Sequence, residues 1–123
     1  MSSDTYQLLD SGSQKKLEQV GPFTIVRPAP GAVWNMENPD QWEKASAIFE
    51  RFSSGKGKWH IHDNSIKKPW IIEYGGIKFQ IELTSFGHLG LFGEQKQNWS
   101  RLREICHKGS PQSLKVLNLF AYT

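Results

Sequence analysis

The sequence predicts an α+β fold: an antiparallel, β-rich N-terminal domain with two amphipathic helices, then the first strand of a truncated α/β sheet. Three observations carry this reading. Gly75-Gly76 separates two apolar runs, 70–74 and 77–83, and a two-glycine turn accepts the positive φ values of a tight hairpin. Asn38-Pro39-Asp40-Gln41 precedes apolar residues at three- and four-residue steps, which is a helix start and a helix face. The run 114–120 is nearly continuous apolar sequence after an amphipathic segment, and strands covered on both faces read that way.

In chain order, residues 6–9 read as a short strand and Asp10-Ser11-Gly12-Ser13 as a turn. Residues 14–20 and 23–27 read as two further strands, the second ended by Pro28 and Pro30; polar turns make the three a meander. The first helix is expected over about 39–53. Asn38 caps it, Gln41 completes a capping box, and Trp42, Ala45, Ile48, Phe49 and Phe52 share its apolar face. Residues 56–63 begin basic and then alternate Trp59 and Ile61 against His60 and His62.

In the hairpin's second strand Ile77, Phe79, Ile81 and Leu83 face a core while Lys78, Gln80 and Glu82 face water, giving a one-sided sheet. After Gly87, Gly90 and Gly93 a second helix spans about 94–107 and buries Trp99, Leu102, Ile105 and Cys106. Gly109 and Pro111 stop it. The β-rich domain is expected to end at residue 83.

A chain of 123 residues suits one domain, or a small domain and the start of a second. The net charge of +3 permits a nucleic-acid partner without specifying one. The single cysteine excludes an internal disulfide and fits a reducing compartment. No apolar run approaches the ~18 residues of a membrane span, and residues 1–10 lack the parts of a secretory signal. The expectation is a cytoplasmic protein.

His60, His62 and Asp63 could begin a metal site, since alternate strand residues point the same way; no further ligand stands at recognisable spacing, and exposed histidines are the simpler reading. Lys56, Lys58, Lys67 and Lys68 lie near Trp59 and Trp70; basic groups take phosphates and aromatic faces stack bases, so this mixture could hold RNA. The glycines of 86–95 match no phosphate-binding loop but permit a tight bend beside a ligand, with Glu94, Gln95 and Asn98 able to reach a small molecule. Cys106 falls on the apolar stripe and reads as a structural thiol.

The last residues are more specific. VLNLFAYT, 116–123, resembles the opening of the first cofactor-binding motif of class I S-adenosylmethionine-dependent methyltransferases. Within them it is similar to the bacterial branch that methylates cytosine C5 of large-subunit ribosomal RNA. FGHLGLFGEQKQNW, 86–99, resembles that branch's segment ahead of the catalytic domain, and the opening 6–34 is also similar to uncharacterised members. The resemblance implies a truncated Rossmann-like methyltransferase domain over 84–123. It implies S-adenosylmethionine as cofactor of the full-length protein, with Phe92, Gln95, Asn118, Phe120, Tyr122 and Thr123 near it. The glycines and the acidic residue that would come after Thr123, and the downstream catalytic residues, are not in this sequence.

The sequence-based expectation is therefore an N-terminal fragment of an RNA methyltransferase, inactive alone, whose uncovered last strand promotes self-association. The alternative is a free-standing, non-catalytic β-rich module that binds nucleic acid.

Overall fold

The computed structural model describes residues 5–109 and 114–119. They form a mixed α+β protein built mostly of strands, in two compact units, Met1–Leu91 and Phe92–Thr123. In the first, strands β1 (Tyr6–Gly12), β2 (Lys15–Val20) and β3 (Phe23–Pro28) make the expected antiparallel meander. Helix α1 (Pro39–Glu43) leads to β4 (Ala47–Arg51) and β5 (Gly57–Ile61), which complete a sheet ordered β1-β2-β3-β4-β5. Strands β6 (Trp70–Tyr74) and β7 (Ile77–Ile81) form a separate antiparallel pair.

The hairpin is set by its turn: Gly75 and Gly76 have φ of 58° and 73°, the left-handed values a two-residue connection requires. The β1–β2 turn differs from expectation. Strand β1 continues through Gly12, and the turn falls on Ser13 and Gln14, both at positive φ. Their N–H groups donate to the carbonyls of Trp34 and Ala32 at 2.7 Å each, so the neighbouring loop holds a conformation that side chains ordinarily avoid.

The helix expected over 39–53 is only five residues long, and its second half is strand β4. The apolar residues there fit both periods. Ala45, Ile48, Phe49 and Phe52 recur helically, yet Ala47 and Phe49 also alternate inward with Ile48 turned to the other face. Long-range pairing decides the outcome: Ala47 and Ile48 lie beside Ile25 and Val26 of β3 in parallel register, and β5 pairs along the other edge. A parallel pair needs a crossover of roughly a dozen residues or more, which the 29–46 segment with α1 supplies.

Both faces of the five-stranded sheet are covered. On one, Leu9, Leu17, Val26 and Ile48 of the strands pack with Met36, Trp42 and Ala45 of the crossover. Asp10 organises this side, accepting from the Trp42 indole N–H at 2.8 Å and from the backbone N–H groups of Glu37 and Asn38. Over the other face lies the β6–β7 hairpin: Trp70 meets Phe23 edge-to-face at 5.0 Å and donates its indole N–H to the Val20 carbonyl. Thr5 and Glu73 join the start of β1 to β6 through backbone and hydroxyl hydrogen bonds.

The second unit contains a 3-10 turn, Gly93–Gln95, and helix α2 (Lys96–Lys108). The expected buried stripe is not formed: Leu102, Ile105 and Cys106 are exposed and Trp99 is half-buried. Nor do residues 114–119 form the expected strand; they carry no regular structure and are exposed. Among the described residues the apolar run has no partner strand to pair with, and an unpaired strand leaves its backbone groups to water. Among those residues, too, no helix is long and apolar enough to cross a membrane.

Candidate functional site

The strand Gly57–Ile61 and the segment after β7 meet at one end of the five-stranded sheet. The Phe52 N–H donates to the Lys56 carbonyl at 2.7 Å, and the Gly55 N–H donates to the Phe52 carbonyl, closing the β4–β5 turn. Next along, the Gly57 N–H donates to the Ser85 carbonyl at 3.0 Å. The Gly87 N–H donates to the Thr84 carbonyl, closing a second turn with Ser85 and Phe86 at its tip. Two phenylalanine-bearing turns thus stand side by side, and both rings are half in water, Phe52 at 47% and Phe86 at 52% exposure.

Beneath them the Phe49 ring is buried and packs on Trp59 with centroids 5.1 Å apart. Trp59 donates its indole N–H to the Thr84 carbonyl at 2.7 Å. Of the residues expected to contact nucleic acid, Trp59 is therefore engaged in internal packing and in fixing the 84–87 turn. Lys56 and Lys58 are exposed at this end, as is Arg51, and among the described residues none of the three forms an ion pair. Lys68 is exposed but lies beyond the opposite end of β5, after the 3-10 turn Asn64–Lys67. The side chain of Lys67 is outside the described residues.

His60 and His62 do not converge on a third ligand. The His60 ring bonds Glu50 at 2.7 Å and His62 Nδ1 bonds the Ala45 carbonyl. Asp63 holds the adjoining turn through the Ser65 hydroxyl and N–H, and those two bonds hold its carboxyl below the ordinary range. Among the described residues no three His, Cys, Asp or Glu side chains come close enough to hold a metal ion.

A buried ionic cluster fastens this end to the sheet, and sequence reasoning missed it. Glu18 is fully buried. Arg27 donates to it through Nε and Nη2 at 2.7 Å each, Tyr6 through its hydroxyl at 2.6 Å, and Lys16 Nζ lies 3.2 Å away. Burial pushes the Glu18 carboxyl up, but the hydrogen bonds and charge of Arg27, with Tyr6 and Lys16, outweigh it and hold the group below its usual range. The remaining Arg27 donor, Nη1, reaches the Gly87 carbonyl at 3.1 Å. Asp10 was also missed. The Trp42 indole, with three backbone N–H groups, holds its carboxyl low against the opposing effect of burial. In both cases the only local sign is an acidic residue in or beside an apolar strand.

The residues expected to line a cofactor pocket belong to the second unit. Phe92 precedes the 3-10 turn and is partly exposed. Gln95 is exposed, its Oε1 accepting from Asn98 Nδ2 at 2.7 Å, and Asn118 lies exposed in the irregular 114–119 segment. Phe120, Tyr122 and Thr123 lie outside the described residues. An aromatic ring and two amides suit the chemistry of an adenosyl group. In the described residues the Gln95 carbonyl oxygen accepts from Asn98, and Asn118 lies outside any strand.

Comparison with solved structures places the chain. It is similar to a SAM-dependent methyltransferase from Agrobacterium tumefaciens, with 33% identity and a TM-score of 0.80 over 89% of this chain. That match takes in 35% of the other protein, so this chain spans about a third of its length. No family model and no curated protein matches the chain. The similarity supports a methyltransferase relationship for this sequence.

Proposed function

We propose that this chain is the N-terminal portion of an S-adenosylmethionine-dependent methyltransferase that acts on RNA in the cytoplasm, with cytosine of large-subunit ribosomal RNA as the acceptor. The observation that carries the proposal is the 0.80 TM-score at 33% identity across nearly the whole chain. On this reading Met1–Leu91 is an accessory domain, and the remainder leads into the catalytic domain. The resemblance of 116–123 to a first cofactor motif supports that order. Methyl transfer from a sulfonium needs little beyond a bound cofactor and a positioned acceptor, so the accessory domain's task is to bring the acceptor strand.

Two measurements test this. The whole gene product containing this chain, given labelled S-adenosylmethionine and ribosomal RNA from cells lacking the gene, is expected to label the RNA; absence of label on every RNA offered would remove the RNA reading. Calorimetry of the 123-residue chain alone is expected to show no tight S-adenosylmethionine binding. A micromolar dissociation constant there would contradict the assignment of the cofactor site to a larger domain.

The same reading implies self-association of the isolated chain through Val116, Leu117 and Leu119, which are exposed and would seek cover. Sedimentation at rising concentration is expected to show larger species. A monomer throughout would dismiss that implication.

A further inference from the structure

We propose that the paired turns at 52–57 and 84–87 form a platform for single-stranded RNA, with Phe52 and Phe86 stacking bases and Arg51 and Lys56 taking the backbone. The inference rests on the RNA-directed part of the proposed function and names the residues that would serve it. A single exposed apolar ring needs no explanation, but two on adjoining turns beside exposed cations make a patch of the kind that binding sites present. Here the two rings flank one pair of backbone hydrogen bonds, Phe52 N–H to Lys56 O and Gly57 N–H to Ser85 O.

Charge at this end favours phosphate over an apolar protein groove. Arg51, Lys56 and Lys58 are exposed in and beside the β4–β5 turn that carries Phe52, while the carboxylate of Glu50, opposite Lys58, is engaged by His60. Aromatic faces with unpaired cations are the elements of sequence-tolerant single-strand binding, and an A-form duplex offers no exposed base face to them.

The platform is also held in place, so little ordering is needed on binding. Phe49 fills the space beneath Gly57 and Gly87, and a Cβ at either glycine would collide with its ring. Trp59 bonds the Thr84 carbonyl and Arg27 the Gly87 carbonyl, fixing the second turn from both ends. Trp59, placed by sequence reasoning among the RNA contacts, supports the platform from below, and the two exposed phenylalanines take the stacking role.

The test is fluorescence anisotropy of a labelled single-stranded RNA of about twelve nucleotides, a length within one small binding surface, titrated with the 123-residue chain. Phe52→Ala with Phe86→Ala is expected to weaken binding at least about tenfold, since each stacked base contributes a measurable share. Phe52→Tyr with Phe86→Tyr should retain it. Arg51→Glu with Lys56→Glu should weaken binding and flatten its salt dependence by about two phosphate contacts. Unchanged melting temperatures of the variants would show that folding is intact.

No binding by the wild-type chain, or binding indifferent to the alanine pair, overturns the proposal. So does equal binding of duplex RNA. A loss of attachment to the rest of the parent polypeptide with RNA affinity preserved would identify the surface as a protein interface instead, and would also overturn it. No methyl donor enters the titration, so its failure leaves the methyltransferase reading standing, whereas a failed methylation assay removes RNA as the methyl acceptor and leaves RNA binding to be decided by the titration alone.

Discussion

Replacing Arg27 with methionine lowers the stability of the β-rich unit by roughly 3–5 kcal/mol, the cost of leaving a buried charge without its partner. Glu18 is fully buried and takes two bonds from Arg27; Tyr6 and Lys16 alone cannot replace a bidentate guanidinium. The effect has a pH signature. In the wild type the carboxyl is held below its unfolded value. Its contribution to stability is therefore full above that unfolded value and is lost as pH falls through the folded one.

In the Arg27→Met variant burial dominates, and the carboxyl shifts above its unfolded value. The folded state then binds the proton more readily, so stability rises as pH falls from 7 toward 5. Urea unfolding at both pH values measures this. A variant whose stability fails to rise between pH 7 and pH 5 would show that the charge is not what Arg27 holds. Glu18→Gln is expected to cost less than Arg27→Met, because glutamine keeps an acceptor for the guanidinium and the charge left unpaired, on Arg27, is less completely buried than the Glu18 carboxylate.

The second large effect falls at Gly87. Its φ is 79°, and an added Cβ would lie 2.7 Å from two atoms of the Phe49 ring. Gly87→Ala is therefore penalised twice: about 1–2 kcal/mol for a left-handed alanine and about 1–3 kcal/mol for overpacking against a ring that cannot retreat. The ring is confined because Trp59 packs beside it and Gly57 lies against it. A fall in stability of roughly 2–5 kcal/mol is expected by thermal or urea unfolding. Gly55→Ala is the control, since Gly55 shares a positive φ but meets nothing within 4 Å. Equal losses at both positions would mean that backbone strain alone is felt and the Phe49 contact is immaterial.

Legibility in the sequence tracked the range of the forces involved. The β6–β7 hairpin and the β1–β3 meander were legible because each strand pairs with its sequence neighbour and turn residues mark the joints. Helix α1 was legible at its start, where Pro39 takes the first position although the Asn38 side chain makes no capping bond, and illegible at its end. Ile48 and Phe49 satisfy either period locally, and only β3, more than twenty positions away in register, makes them a strand. The stripe of α2 was legible as a pattern, but a pattern does not supply the surface that would bury Leu102 and Ile105.

The buried carboxylates obey the same rule. Asp10 and Trp42 are 32 positions apart, and Glu18 lies nine from Arg27, with nothing local to signal either bond. Lys56 and Lys58 could be singled out by composition, but their neighbours Phe52 and Phe86 could not. Those two become a pair only when β5 and the segment after β7 are laid side by side.

The bond from Thr5 to Glu73 spans 68 positions, and Gly87 closes on Arg27 from 60 positions away. During synthesis, then, the first three strands leave the ribosome long before the groups that cover one of their faces exist. Glu18 and its apolar neighbours must wait in water until the last glycine-rich stretch has been made. Such non-local closure favours slow maturation, and it makes the nascent chain's most vulnerable interval the one just before that stretch emerges.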